Sequence, residues 1–142
     1  MNGNDVHMKT LNIKSFTKMD LEHYQHLLVY GAGVMGRRMV QELDCYCADK
    51  LSGIAVTDMR GNPEKISSYS VKSISSYNGS LPQDNTAVII SVTRAAVEIA
   101  ETVQKNGFSH IFVLDPGFEN ILLENYLVTE LDRLRKEVCV QC

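Results

Sequence analysis

Long hydrophobic runs are missing from this 142-residue sequence. The longest, around Leu27 to Tyr30, falls far short of the ~20 residues a membrane-spanning helix requires, so no membrane span is expected. The opening MNGNDVHMKT carries no hydrophobic region of the kind an export signal has, which makes cytoplasm the expected compartment. Charge of one sign is missing too. The formal net charge is −3 and the Lys and Arg residues are scattered, so no basic footprint exists and nucleic acid is not an expected partner. Histidine is sparse: His7, His23, His26 and His110 share no spacing suited to a metal or to the activation of a nucleophile. The four cysteines, Cys45, Cys47, Cys139 and Cys142, sit in a chain without an export signal, which favours free thiols over disulfides. Neither an internal repeat nor a low-complexity segment is present. Apolar residues at 44% and charged residues at 22% exclude disordered and collagen-like classes, and the length fits one compact domain.

What is present is an alternation of buried strands and amphipathic helices. HLLVYG (26–31) is a continuous apolar run closed by glycine, the pattern of a strand covered on both faces. From Val34 to about Lys50, Met35, Met39, Leu43 and Cys47 recur every fourth residue among charged neighbours, which predicts a helix. GIAVTD (53–58) reads as a second strand and completes a right-handed βαβ unit. Residues 59–85 are rich in Ser, Gly, Asn and Pro, with one β-like piece at YSVKSI; the helix expected before the next strand is missing there. TAVIISV (86–92) is a strand, Ala96, Ile99, Ala100 and Val103 mark a helix stopped at Gly107, and HIFVLD (110–115) is the last strand. Leu123, Leu127, Leu131, Leu134 and Val138 then form the apolar stripe of a terminal helix, which either packs on the sheet or pairs with a second copy as a homodimer seam. Residues 1–25 are polar and mixed, with a short helical turn at TKMDLEHYQ that Thr17 could cap. The expectation is an α/β, three-layer, doubly wound parallel sheet of about five strands over 26–118, an extension before it, and a helix over 119–142.

Gly31-Ala32-Gly33-Val34-Met35-Gly36 is a G-x-G-x-x-G placed where the first strand ends and the first helix begins. Each glycine has its own task in a dinucleotide site: Gly31 turns the chain, Gly33 lets a diphosphate touch backbone, and Gly36 lets helix and strand approach. The helix start offers unpaired N–H groups and the positive end of its dipole, which bind an anion without lysine. Asp58 follows 22 residues after Gly36, at the end of the second strand, where a carboxylate can accept from a ribose diol. It also reads as a turn residue in TDMRGNP. Met59 and Arg60 share that loop, and Arg60 could meet a 2′-phosphate or stack on adenine; NAD(H) is the favoured cofactor, with NADP(H) open. Ser91, Val92, Thr93 and Arg94 end the strand across the crevice. Thr93 is placed to cap the next helix and Ser91 or Arg94 to reach phosphate, or they form a cap with two bystanders.

LLVYGAGVMGRRMVQEL, the acid-bearing VTDMRGNP, the strand AVIISV and KNGFSHIFVL together resemble the small Rossmann-type domain found in capsule and lipopolysaccharide enzymes. They are similar to the amino-terminal domain of UDP-sugar dehydratases and to glycosyltransferase-associated modules. The resemblance covers residues 26–115 and rests on Gly31, Gly33, Gly36, Asp58 and Asn62-Pro63. It implies a nucleotide or nucleotide-sugar ligand and a place in cell-surface polysaccharide metabolism, within a sugar-nucleotide oxidoreductase or dehydratase whose catalytic part lies elsewhere.

Catalytic signatures are thin. Tyr46-Cys-Ala-Asp-Lys50 matches the Tyr-x-x-x-Lys proton-transfer pair of short-chain dehydrogenases, but lies at the far end of the helix from the crevice. Cys139-Val-Gln-Cys142 could join Cys45 and Cys47 around zinc, yet it has no glycine turns and reads better as a helix end.

Overall fold

The computed structural model describes residues 6, 8–11, 20–92 and 94–141. Seven strands occur among them. β1 (Met8–Leu11) precedes a 3₁₀ turn (Asp20–His23) and β2 (His26–Tyr30). α1 (Val34–Cys47), β3 (Leu51–Val56), the short β4 (Lys65–Ile66), β5 (Tyr69–Ser73) and the single-turn α2 (Ile74–Tyr77) follow. A 3₁₀ turn (Gln83–Asn85) leads into β6 (Thr86–Ile90), then α3 (Ala96–Lys105), β7 (His110–Leu114) and α4 (Pro116–Gln141). The sheet order is β1-β7-β6-β2-β3-β5-β4, and every neighbouring pair is parallel except the β4–β5 hairpin.

Why the central strands read as unbroken apolar runs is visible in the layers. Alternate residues of β2 and β6 face opposite cores. Leu27, Val29, Ala87 and Ile89 pack with Met39, Val40 and Leu43 of α1 on one side. Leu28, Tyr30, Val88 and Ile90 pack with Ala100 and Val103 of α3 and with Phe108 on the other. The doubly wound three-layer architecture is therefore present. Winding reverses between β2 and β6: the chain leaves β2 for β3 on one side and β6 for β7 on the other. Those two strands run in register from His26↔Thr86 to Tyr30↔Ile90, so their carboxyl ends form one rim at the switch point.

Two strands escape the sequence pattern. β1 lies in the polar opening segment, where no period of two stands out, and is held by pairing with β7 from Met8↔Ile111 to Leu11↔Leu114. β4 is two residues long and exists as the hairpin partner of β5. The helix missing between β3 and β6 is replaced by this hairpin and by α2, which plugs the sheet with Tyr77. Its hydroxyl donates to Ile54 O at 3.2 Å and Ser70 O at 3.1 Å. A Cβ on Gly53 would lie 2.3 Å from that hydroxyl, so the glycine is what admits it. On the other face, the Tyr69 hydroxyl donates to Asp44 and ties the hairpin to α1.

α4 packs against α1 and then outruns it. Twenty-six residues make a helix about 39 Å long, against about 17 Å for a five-residue strand. Residues 131–137 are all exposed, on every face of the helix. No helix among the described residues is long and apolar enough to cross a membrane.

Candidate functional site

The three loop glycines occupy three different environments. Gly31 has φ +116°, a conformation that favours glycine, and its N–H donates to Ala55 O at 2.9 Å. A Cβ there would sit 2.5 Å from Ser91 Oγ and 3.0 Å from a methyl of Val92. On Gly36 a Cβ would lie 1.9 Å from the carbonyl oxygen of Gly31, so the first turn of α1 rests directly on the strand end. Around Gly33 nothing lies within 4 Å of where a Cβ would be. The first two glycines are thus required by packing; the third faces open space.

That space is a cavity of about 300 Å³. Gly33, Val34, Met35 and Gly36 form one wall, and Ser91, Val92 and Arg94 the other. Gly33 is the N-cap of α1 and no side chain caps it. The first intrahelical bond runs from Arg37 N to Gly33 O at 2.9 Å, which leaves the amides before Arg37 without a helical acceptor. Open amides and the helix dipole on one wall, and the exposed Arg94 on the other, make the cavity electropositive. Val34 and Val92, 45% and 40% exposed, give the mouth an apolar rim.

Ser91 is buried, and its hydroxyl donates to Tyr30 O at 2.7 Å, while its N–H donates to the same oxygen at 3.0 Å. Its proton is therefore committed to latching β6 onto β2 under the loop. It shapes the cavity rather than offering a donor to it. The Tyr30 hydroxyl is hydrogen-bonded with that of Thr57, and burial pushes the phenol above its ordinary value. The backbone oxygens of Tyr30 and Ala55 complete the support. Sequence reasoning has no access to them, since any residue supplies a carbonyl. Ala32 is buried and its carbonyl accepts from Arg37 Nε at 3.3 Å.

Asp58, Met59 and Arg60 do not line the cavity. Met59 packs half-buried against the α1 core. Asp58 is exposed and fully engaged with Arg60. Oδ1 accepts the Arg60 N–H at 2.9 Å, and Oδ2 accepts the guanidinium at 2.8 and 2.6 Å. The Asp58 carbonyl accepts from Asn62 Nδ2 at 2.7 Å. This is a hydrogen-bonded turn, and the guanidinium beside it holds the Asp58 carboxyl below its ordinary value. An ion pair this exposed is screened by water and weak, so a ligand can displace it. Thr93 lies outside the described residues, as does Thr17; α3 itself starts behind Ala95 with no side-chain cap.

The Tyr46/Lys50 pair does not assemble toward the cavity. Tyr46 is 55% exposed near the far end of α1, and Lys50 Nζ donates to Glu22 O at 3.1 Å. Cys45 is exposed, and half-buried Cys47 has its thiol pushed up by burial. The side chain of Cys139, and Cys142, lie outside the described set. No group of three metal-ligating side chains occurs among the described residues.

No family model and no curated protein matches the chain. Among solved structures it is similar to RSP, a Rex-family repressor, at 14% identity over 87% of this chain and 68% of that one, with a TM-score of 0.55. RSP in complex with beta-NADH is matched at 13% identity over the same shares, with a TM-score of 0.52. RSP in complex with beta-NAD+ and operator DNA is matched at 14% identity, 82% of this chain and 62% of that one, with a TM-score of 0.49. The first two likenesses carry the Rossmann-like fold. The first also corrects one expectation: a modest negative charge does not exclude nucleic acid as a partner, because the same fold occurs in a Rex-family repressor. Net charge reports on a whole chain, whereas nucleic-acid contact is decided by local surfaces and attached segments.

Proposed function

We propose that this chain is a dinucleotide-binding module that holds NAD(H) by its diphosphate at the amino terminus of α1. The observation that carries the reading is Gly33: of the three loop glycines it alone opens onto unfilled space, at an uncapped helix start inside a cavity. A Cβ there would occupy the place a diphosphate oxygen needs. The amides of the first turn bind the diphosphate, and Arg94 supplies a cation across the cavity. Val34 and Val92 offer apolar contact to a ring at the mouth. Asp58 takes the ribose diol once Arg60 is released from it; with a 2′-phosphate, as in NADP(H), Arg60 becomes the partner instead. Bound NAD(H) supplies a hydride carrier, and this chain's residues bind and orient it. Structures of the same fold hold beta-NADH and beta-NAD+, which supports this cofactor class. The resemblance to UDP-sugar dehydratase domains adds a second diphosphate ligand to compare.

Titration calorimetry with NADH, NADPH and a UDP-sugar tests the reading. Heat with NADH, weakened by added salt, is expected. No heat from NADH at millimolar concentration, with circular dichroism showing folded protein, overturns it. Heat from the UDP-sugar alone transfers the site to sugar nucleotides. Duplex DNA belongs in the same titration, with and without NADH.

A further inference from the structure

We propose that Arg37 is a second cation of the dinucleotide site, closing over the diphosphate from outside the cavity while Arg94 meets it from within. This rests on the reading of the glycine loop as a diphosphate site, and adds to it a side chain that the glycine motif does not specify. Arg37 follows Gly36 directly in the opening turns of α1. Long side chains on a helix lean back toward its amino terminus. Here the lean carries the guanidinium over the loop: Nε–H donates to the carbonyl of Ala32 at 3.3 Å. Gly33 lines the cavity and neither Ala32 nor Arg37 does, so the guanidinium stands on the outer side of the loop.

Its neighbour shows what sets Arg37 apart. Arg38 has a side chain only 14% exposed; it donates to Gln41 Oε1 at 2.8 Å and pairs with Glu42 at 2.7 Å. That charge is neutralised within α1. Arg37 is exposed and joins no ion pair among the described residues. Its Nε bond sets the direction of the fork, and both terminal nitrogens stay without a protein acceptor among the described residues. A guanidinium so placed can grip a phosphoryl group through two parallel bonds.

The position also runs against helix electrostatics. The amino end of a helix carries partial positive charge, which favours acids there and disfavours cations. α1 has no acid in its first turn, and an unpaired guanidinium reaches back over it. The bond to Ala32 is long for N–H···O and offsets little of that repulsion. An anion on the loop reverses the sign, because helix start, Arg37 and Arg94 then all attract it. A side chain unfavourable in the ligand-free chain and favourable in the complex serves binding and not folding.

Titration calorimetry of the full chain tests the assignment with two probes, NADH and ADP-ribose, which shares the diphosphate and lacks the nicotinamide. Arg37→Gln is expected to raise the dissociation constant at least about tenfold for both, by similar factors. Arg37→Lys keeps the charge without the fork and is expected to fall between. Lys105→Gln removes a positive charge from the last turn of α3, far from the cavity, and is expected to stay within about twofold of wild type. The urea midpoint of ligand-free Arg37→Gln is expected at or slightly above that of wild type, since the charge opposing the dipole is gone. A midpoint clearly below wild type makes Arg37 a packing residue and overturns the proposal. Unchanged affinity in Arg37→Gln, with heat from wild type, overturns it and leaves the nucleotide reading standing. A loss for NADH with none for ADP-ribose overturns the diphosphate contact, and an equal loss in Lys105→Gln assigns the effect to net charge and overturns it as well. No heat from wild type with either probe overturns this proposal and the nucleotide reading together.

Discussion

At the scale of residues, Gly33 and Gly36 sit three positions apart in the same motif and answer to different forces. Gly36 is a packing residue, since any Cβ would collide with the Gly31 carbonyl at 1.9 Å. Gly36→Ala is expected to lower unfolding free energy by about 1–3 kcal/mol, as overpacking against backbone does, read from the urea midpoint. Gly33 has φ −83° and ψ −161°, which alanine adopts freely, and open space beyond. Gly33→Ala is expected to stay within about 1 kcal/mol of wild type in stability, the range of an N-cap change, while its NADH affinity falls at least tenfold. Equal losses of stability in the two variants would show that Gly33 is a second packing glycine. Asp58 illustrates how a sequence motif can hold two roles. Its place after β3 is the one we propose for the ribose, yet its oxygens are presently spent on Arg60, so the turn and the proposed ligand compete for one carboxylate.

At the scale of elements, α1 is held at its start and again toward its far end. Its start rests on the β2 end through Gly36, and farther along Asp44 accepts the hydroxyl of Tyr69 on β5. That bond compensates for the missing helix by pinning the hairpin to α1. It pushes the Tyr69 phenol up to about 12, chiefly because the hydroxyl donates to Asp44 and loses that bond on ionising. A tyrosine titrates near 10 in an unfolded chain, so the folded value is the higher one. The stabilisation is therefore complete below about pH 10 and is lost as pH rises through 12. Phenolate absorbance is expected to show late steps from Tyr69 and from Tyr30 and Tyr77, whose phenols burial also raises; Tyr69→Phe removes one phenol's amplitude from them, and Asp44→Asn moves that one phenol down. Late amplitude unchanged in Tyr69→Phe refutes the assignment.

At the scale of the whole molecule, the cavity exists because winding reverses between β2 and β6 and leaves their carboxyl ends uncovered together. A ligand bound there spans the glycine loop of one half and the Ser91–Arg94 segment of the other, and so stabilises the whole sheet by linkage. NADH at a hundred times its dissociation constant is expected to add about 2.7 kcal/mol, or roughly 5–10 °C in midpoint for a domain of this size, with Gly33→Ala showing little of that rise. A thermal scan in which both proteins shift equally would place the ligand elsewhere.

How much of this was legible follows from where each signal is stored. Burial on both faces writes an apolar run directly into β2, β3 and β6, and a tight strand-to-helix turn packed on the strand end writes Gly31 and Gly36, so layers and loop could be read from residue order. β1 and β4 could not, because each is defined by a partner distant in the chain or by a two-residue hairpin, and a period of two has no room to show. The exclusion of nucleic acid failed for a related reason: total charge averages over surfaces that act locally. Residue order by itself determined the alternation of elements and the glycine cradle, since both depend on side chains present or absent at fixed spacing. Tertiary structure alone decided that Ser91 spends its proton on Tyr30, that Asp58 is held by Arg60, and that the leucines of α4 face water, because each depends on which backbone or side chain folding brings alongside.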